Sequence, residues 1–424
     1  MKREAKINIE VWGDWKALGG GQKIGVLSSM VTRGKEIFSF SYDESWLKSK
    51  SALVLDPTLQ LFTGEQFNQS EKSNFGMFLD SAPDRWGRVL QKRREAIRAR
   101  AEKRAEQILY ESDYLLGVHD EHRMGALRFK TTASGPFLDA QDEMAAPPFA
   151  SLRDLEVAAG AIENDQALDD PEIEKWVRML IAPGGSLGRA RPKASVVDES
   201  AQLWIAKFPS RDDRMDTGLW EYLVYQLAKD AGIEVSEAQA KVFRGPQHTF
   251  LTKRFDRTRE RARIHFASAM TMLGKADGAG AEDGTSYFEI IEFLQTCGAR
   301  VDQDLLQLWR RIVFYMCVSN TDDHLCNHGF LLTEKGWILS PAFDLNPNPE
   351  SNGLRLNVSE SDNSQDLGLA LDVAGYFRVD KSEAQKILDE IRDVVKSWRS
   401  RAEALGIARA AQEQMSRAFR LVEG

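Results

Sequence analysis

Residues 319–344 leave this chain few ways to fold. Asp322 and Asn327 stand five apart, a spacing that does not share a helical face, so they converge only if the chain turns between them. Asn320-Thr321-Asp322-Asp323 favours that turn, because short polar side chains bond to nearby backbone and compete with helix. Next, Gly329–Leu332 and Trp337–Leu339 flank Thr333-Glu334-Lys335-Gly336, which predicts a hairpin. Asp344 follows just past its second strand and would return beside Asn327. Upstream, Leu305 to Val318 is an apolar-rich run that predicts a helix feeding the turn.

An Asp, an Asn five residues later and an Asp beyond a short strand-like run match the layout of a kinase. There the first Asp orients or deprotonates the acceptor hydroxyl, and the Asn and last Asp hold Mg2+ on the ATP phosphates. Few hard oxygen ligands, with room for water and phosphate, suit magnesium. The pattern also recurs by chance, and Asp and Asn commonly serve as loop caps. His324, His328 and Cys326 invite a zinc reading, but His328 precedes a strand and no further Cys or His cluster completes a ligand set.

A kinase reading demands more upstream. Ala182-Pro-Gly-Gly-Ser186-Leu-Gly188-Arg-Ala-Arg-Pro-Lys193 is a Gly-rich candidate whose amides could approach phosphate, though it lacks the Gly-Lys-Ser/Thr end of a P-loop. Lys207 ends a strand-like run, Leu203 to Lys207, and would meet phosphate or simply snorkel. A helix is expected over about 218–231, with Gly232 as its stop. Its Glu221 would either pair with Lys207 or be a solvated first-turn acid. Lys253, Arg254 and Phe255 fall where a kinase places its adenine-binding hinge. Each part is weak, but their order is hard to obtain by chance.

The remaining chain is less specific. Its 424 residues suffice for two or three domains, and 42% apolar with 28% charged residues is ordinary for a globular protein. A net charge of −8 argues against a chain built chiefly for nucleic acid. Three cysteines imply a reducing compartment without a disulfide framework, and no leader or membrane-length apolar run is evident, so a cytoplasmic location without membrane contact is expected. Strands are predicted around Ile7–Trp12, Ile24–Met30 and Ile37–Tyr42, with helix over 71–108 and a linker or surface excursion over 131–150. Ser151 is placed as the N-cap of a helix, and 382–422 reads as a helix pair. Residues 88–104 carry eight basic and two acidic side chains. They form a solvated helix face or, more sharply, a surface for nucleic acid or an acidic partner.

Together, Ser186-Leu-Gly-Arg-Ala-Arg-Pro-Lys193, Trp204-Ile-Ala-Lys207-Phe-Pro, Arg254-Phe-Asp-Arg257, Asn320 to Phe330 and Ser340-Pro-Ala-Phe-Asp344 resemble the HipA family of serine/threonine kinase toxins of type II toxin–antitoxin modules. Phe75 to Arg88 and Arg123 to Phe129 resemble that family's extra N-terminal domain. The resemblance implies an α+β, two-lobed, protein-kinase-like fold with a strand-rich N-lobe, an all-α C-lobe and an extra mixed N-terminal subdomain. The expected divisions are 1–135, 151–260 and 261–424. It further implies Asp322 as catalytic residue, Asn327 and Asp344 as Mg2+ ligands and Lys207 as the ATP-phosphate lysine. Gly188, Arg189, Ala190, Arg191, Pro192 and Lys193 would form the phosphate loop, and Lys253, Arg254 and Phe255 the hinge. His324 and Asn327 would touch nucleotide. Ser186 falls where the family autophosphorylates, and a phosphate there would add negative charge beside that of ATP.

Arg189 stands where many relatives have a small residue, and Cys326 where some carry a cation. The implied partners are a helix-turn-helix, HipB-like antitoxin, which mainly binds the operator DNA, and a protein substrate, an aminoacyl-tRNA ligase in known members. Two other functions share parts of this pattern. Small-molecule phosphotransferases use the same D-x-x-x-x-N plus Asp arrangement, and a catalytically silent co-repressor would keep only the partner and DNA binding.

Overall fold

The computed structural model describes residues 6–69, 72–139, 146–163, 177, 180 and 191–423. The chain divides into two compact units. One comprises Met1–Arg211 with Asp256–Ala276, and the other Asp212–Phe255 with Asp277–Gly424. This division cuts across the expected middle domain: the strand pair carrying Lys193 and Lys207 belongs to the first unit, and the helix and strands up to Phe255 to the second.

The first unit is built on an antiparallel sheet of β1 (Ile7–Gly13), β2 (Gln22–Thr32), β3 (Lys35–Tyr42), β4 (Gln66–Phe67) and β5 (Leu127–Lys130), in the order β4-β3-β2-β1-β5. Alternation dictates its buried face: Ile9 and Val11 of β1, Leu27 of β2 and Phe38 and Phe40 of β3 are fully buried. Phe78 joins them, with ring centroids 5.7 Å from Phe40 and 6.0 Å from Phe129. The glycine run after β1 makes the expected turn, Gly19 and Gly20 taking φ of 67° and 141°.

The region expected to be helical over 71–108 is two helices, Gly76–Ser81 and α1 (Arg85–Ala101). The second stops early because Lys103 adopts φ 52° and the Arg104 amide bonds back to the Ala99 carbonyl at 2.9 Å, closing the last turn. Ser151 is not a side-chain cap either. It ends a 3-10 turn, Phe149–Ser151, that runs straight into helix Leu152–Glu163. Strands β6 (Lys193–Val197) and β7 (Leu203–Lys207) pair antiparallel, with Lys193 opposite Lys207.

Polar groups lock this unit. Arg123 is 0% exposed, and its guanidinium donates to the carbonyls of Ser81, Leu115, Val118 and Leu138 over 2.8–3.2 Å while lying on the Phe129 ring. Asp256, also fully buried, accepts from the Gly125 amide at 2.8 Å and from Arg257. Buried Asp80 accepts from both the amide and the hydroxyl of Ser268. These contacts fasten residues 256–268 onto residues far earlier in the chain.

In the second unit, α2 (Thr217–Asp230) is capped by Asp216, packs with the antiparallel pair β8 (Ala238–Lys241) and β9 (Thr249–Lys253), and stops at Gly232, φ 74°. From Asp277 onward helices dominate the described residues, interrupted by the expected hairpin and by a long non-helical stretch over 340–366. Helices α3 (Tyr287–Cys297) and α4 (Val301–Val318) come first, and β10 (Gly329–Thr333) and β11 (Gly336–Leu339) follow. The end of the chain is three α-helices rather than two, Lys381–Lys396, Trp398–Ala404 and Arg409–Met415. Trp398 and Phe419 stack there at 4.3 Å. No described helix is long and apolar enough to cross a membrane.

Two outcomes test the polar locks. Replacing Arg123 by Met removes the shared donor of four carbonyls, and urea unfolding should show a loss of about 3 kcal/mol or more. Burial pushes the Asp80 carboxyl up to about 6, so the folded chain holds that proton more tightly than the unfolded one. Stability should therefore fall as pH rises from about 4 to about 6, by about 3 kcal/mol for this group alone. Asp80→Asn keeps an acceptor for the Ser268 amide and can donate from Nδ2 to the Ser268 hydroxyl oxygen, and the pH dependence of its unfolding should lack this component.

Candidate active site

The site is assembled where α4 ends. Ser319 takes the left-handed conformation, φ 49°, and turns the chain out of the helix. Its buried hydroxyl donates to the Ala418 carbonyl at 2.8 Å. The loop 320–324 follows, then a 3-10 turn Leu325–Asn327 and the hairpin. Register Phe330↔Leu339, Leu331↔Ile338, Leu332↔Trp337 and Thr333↔Gly336 places the turn where the sequence predicts it. The Thr333 hydroxyl donates to the Gly336 carbonyl at 2.7 Å and helps close it.

The two adjacent aspartates are treated oppositely. Asp322 is exposed. Asp323 is 1% exposed and accepts from the Tyr287 hydroxyl at 2.6 Å and from His328 Nε2 at 2.7 Å. Tyr287 belongs to α3, and burial together with the Asp323 charge holds its phenol well above the ordinary range, so it stays a donor. Arg311 of α4 is buried, donates to the Ser340 carbonyl at 2.5 Å and feels the Asp323 charge; burial lowers its own pKa.

Asn327 is buried, and its Nδ2 donates to the Asp322 carbonyl at 2.9 Å. Its Oδ1 is buried with no hydrogen-bond partner among the described residues. A buried acceptor without a partner is costly, and a hard cation is the kind of group that would satisfy it.

Asp344 returns to the same loop. It sits at φ 59°, a left-handed position that Asp and Asn tolerate better than other side chains. Asn346 Nδ2 donates to its carboxylate at 3.2 Å, and the Asn346 amide donates to Asn320 Oδ1 at 3.0 Å. Asn348 repeats the pattern on Thr321 at 3.0 Å. Residues 344–348 are thus laced to residues 319–321, which brings the Asp344 segment onto the loop that carries Asp322 and Asn327. Phe255 joins from the other end of this unit, its ring 5.6 Å from that of Phe343. Lys253 ends β9, with its amide bonded to the Glu237 carbonyl at 2.8 Å, and Arg254 is buried. His324 is half-buried and its carbonyl receives the Asn327 amide at 2.8 Å.

Of the remaining expected site residues, Arg191, Pro192, Lys193 and Lys207 lie in the first unit. Gly188, Arg189, Ala190 and Ser186 are outside the described residues. Arg191 and Pro192 lead into β6, and Lys207 ends β7 half-buried. Lys193 is engaged: its ammonium pairs with buried Asp84 at 2.7 Å, and its carbonyl accepts from Trp86 Nε1 at 3.1 Å. Glu221 is 2% exposed, which excludes a solvated acid. Arg88 of α1 is clamped by Glu111 at 2.6 and 2.7 Å, and Arg104, just past the helix, is paired with Glu95 and Glu102, so part of the basic stretch is neutralised locally.

Asp323, Tyr287, Asn320 and Asn346 are the members that sequence reasoning does not single out. The Asn and Asp content of 320–323 and 344–348 signals a polar loop, whereas nothing in the sequence pairs Tyr287 with a residue 36 positions later.

Known proteins extend this picture. A family model for the HipA-like C-terminal domain matches residues 185–398. A Haemophilus influenzae protein that bears the name "Putative kinase" is 27% identical over 143 residues, 31% of this chain; the chain spans 42% of that relative's length. In structure, the chain resembles one in the complex of the Shewanella oneidensis MR-1 toxin–antitoxin system HipA, HipB and its operator DNA. The TM-score is 0.64 at 17% identity, covering 98% of this chain and 96% of that one. The mixed α+β, kinase-like fold expected from the sequence is therefore the fold observed, and the family model spans half of the sequence: the chain belongs to the HipA family.

Proposed function

We propose that this protein is an ATP- and Mg2+-dependent serine/threonine-protein kinase, acting as the toxin of a toxin–antitoxin module. The observation that carries the reading is the opposite treatment of Asp322 and Asp323. A loop that buries one carboxylate under two donors and leaves its neighbour exposed, beside a buried amide oxygen with no partner, has the parts of a phosphoryl-transfer site.

In this reading Asp322 accepts the proton of a substrate hydroxyl. The hydroxyl oxygen bonds to the γ-phosphorus as the bond to the β-phosphate oxygen breaks, leaving phosphorylated protein and ADP. Asn327 Oδ1 and the Asp344 carboxylate would hold Mg2+, which when bound neutralises phosphate charge. Asn346 steadies the Asp344 carboxylate. Phe255, on Phe343, offers an apolar surface of the kind an adenine ring packs on. Lys207 is the lysine assigned to phosphate. Lys193 has its ammonium on Asp84 and would have to leave a buried carboxylate unpaired to serve.

The toxin assignment is supported by family membership and by the fold shared with a chain from a HipA–HipB–operator complex. On this reading a HipB-like antitoxin is the partner and supplies most of the contact with operator DNA. Ser186 is the autophosphorylation site, and the substrate is a protein, with aminoacyl-tRNA ligases the first candidates to screen.

Purified protein with ATP and Mg2+ should label itself and a cellular protein; absence of any transfer rules the reading out. Asp322→Asn should lower transfer at least about 100-fold while circular dichroism and the unfolding midpoint stay unchanged. Asp344→Asn keeps a side chain suited to the left-handed position, so it should fold normally yet need far more Mg2+. An Asp344→Asn protein with wild-type magnesium dependence would remove Asp344 from the site.

A further inference from the structure

Tyr287, Asp323 and His328 form a buried cluster that the reaction above does not use. Asp323 follows Asp322, and His328 follows Asn327. The bond from His328 Nε2 to Asp323 at 2.7 Å therefore joins the two ends of the loop, each partner lying next to a functional side chain. A second closure, Asn327 Nδ2 to the Asp322 carbonyl at 2.9 Å, runs parallel to it. Tyr287 pins the cluster to α3 from outside the loop, through the 2.6 Å bond and an edge contact with the His328 ring, centroids 5.7 Å apart. His328 and Tyr287 are fully buried, so water cannot replace either donor.

We propose that Asp323 is a positioning residue: with His328 and Tyr287 it staples the loop shut, setting the distance and orientation of Asp322 relative to Asn327. The proposal rests on the kinase reading for its consequence, not for its geometry. Two donors converging on one carboxylate oxygen fix its direction more tightly than either alone. Small displacements of reacting groups are expensive, about 100-fold for 1 Å, so loosening the staple should cost turnover rather than nucleotide affinity.

The test uses the full chain and the variants Tyr287→Phe and Asp323→Asn. Tyr287→Phe removes one hydroxyl and keeps the ring, so it carries the test if Asp323→Asn does not fold. Two readouts separate the staple from the kinase reading. Amide hydrogen exchange should rise in residues 319–328 of the variants and stay at wild-type levels in the helices 381–415. Steady-state transfer should show kcat reduced about tenfold or more, with KM for ATP within about twofold and the Mg2+ requirement raised.

Unchanged exchange in folded Tyr287→Phe overturns the staple, whatever the activity. Raised exchange with an unchanged kcat overturns its positioning role. A wild-type protein that transfers no phosphate overturns the kinase reading and with it the catalytic consequence, while the exchange result still decides whether the loop is held by this cluster.

Discussion

The site depends on what a carboxylate requires once it has no water. An ionised Asp323 without partners would cost several kcal/mol in the interior, so the chain that contains it must fold around donors. Tyr287 and His328 supply them, and Arg311 supplies a nearby positive charge. Satisfying that carboxylate draws in three pieces of structure: α3 through Tyr287, α4 through Arg311, and the start of the hairpin through His328. The same requirement leaves Asp322 facing solvent. Two neighbours in sequence are thus treated differently, one carboxylate buried under its donors and one left facing solvent, where the proposed chemistry needs it.

Much of this was legible in the amino-acid sequence. The hairpin follows from two short apolar runs around Thr333–Gly336, a signal contained within eleven residues, and α2 follows from helical spacing that ends at a glycine. Periodicity is local, so such elements can be read locally. The return of the Asp344 segment to residues 319–321 was legible for the same reason, since a hairpin of known length returns the chain to its start.

What sequence could not show is which of two adjacent aspartates is buried, because that depends on Tyr287, brought in by packing of α3. It could not show the commitment of Lys193 either. A lysine at the end of a Gly-rich stretch looks available for phosphate until Asp84, 109 residues earlier, is placed beside it. Glu221 is a third case: an acid near the start of a helix suits a solvated position by propensity, and only the tertiary structure buries it. The shortened α1 is a smaller miss, since nothing about Lys103 announces a left-handed turn.

The first unit applies the same physics to a different end. Hydrophobic burial is non-directional, so Phe40, Phe78 and Phe129 can gather a core without deciding which distant segment lies against which. The buried charges make that decision. Arg123 needs several carbonyls at once and finds them on residues 81, 115, 118 and 138; Asp256 needs an amide and finds Gly125. Each satisfies its partner only in one register, and a shifted register strands a charge. Asp84 extends the logic, capping α1 through the Gly87 amide while holding Lys193. One carboxylate therefore sets both the start of a helix and the start of β6. A change at Asp84 would reach β6 through Lys193, the last residue of the Gly-rich segment.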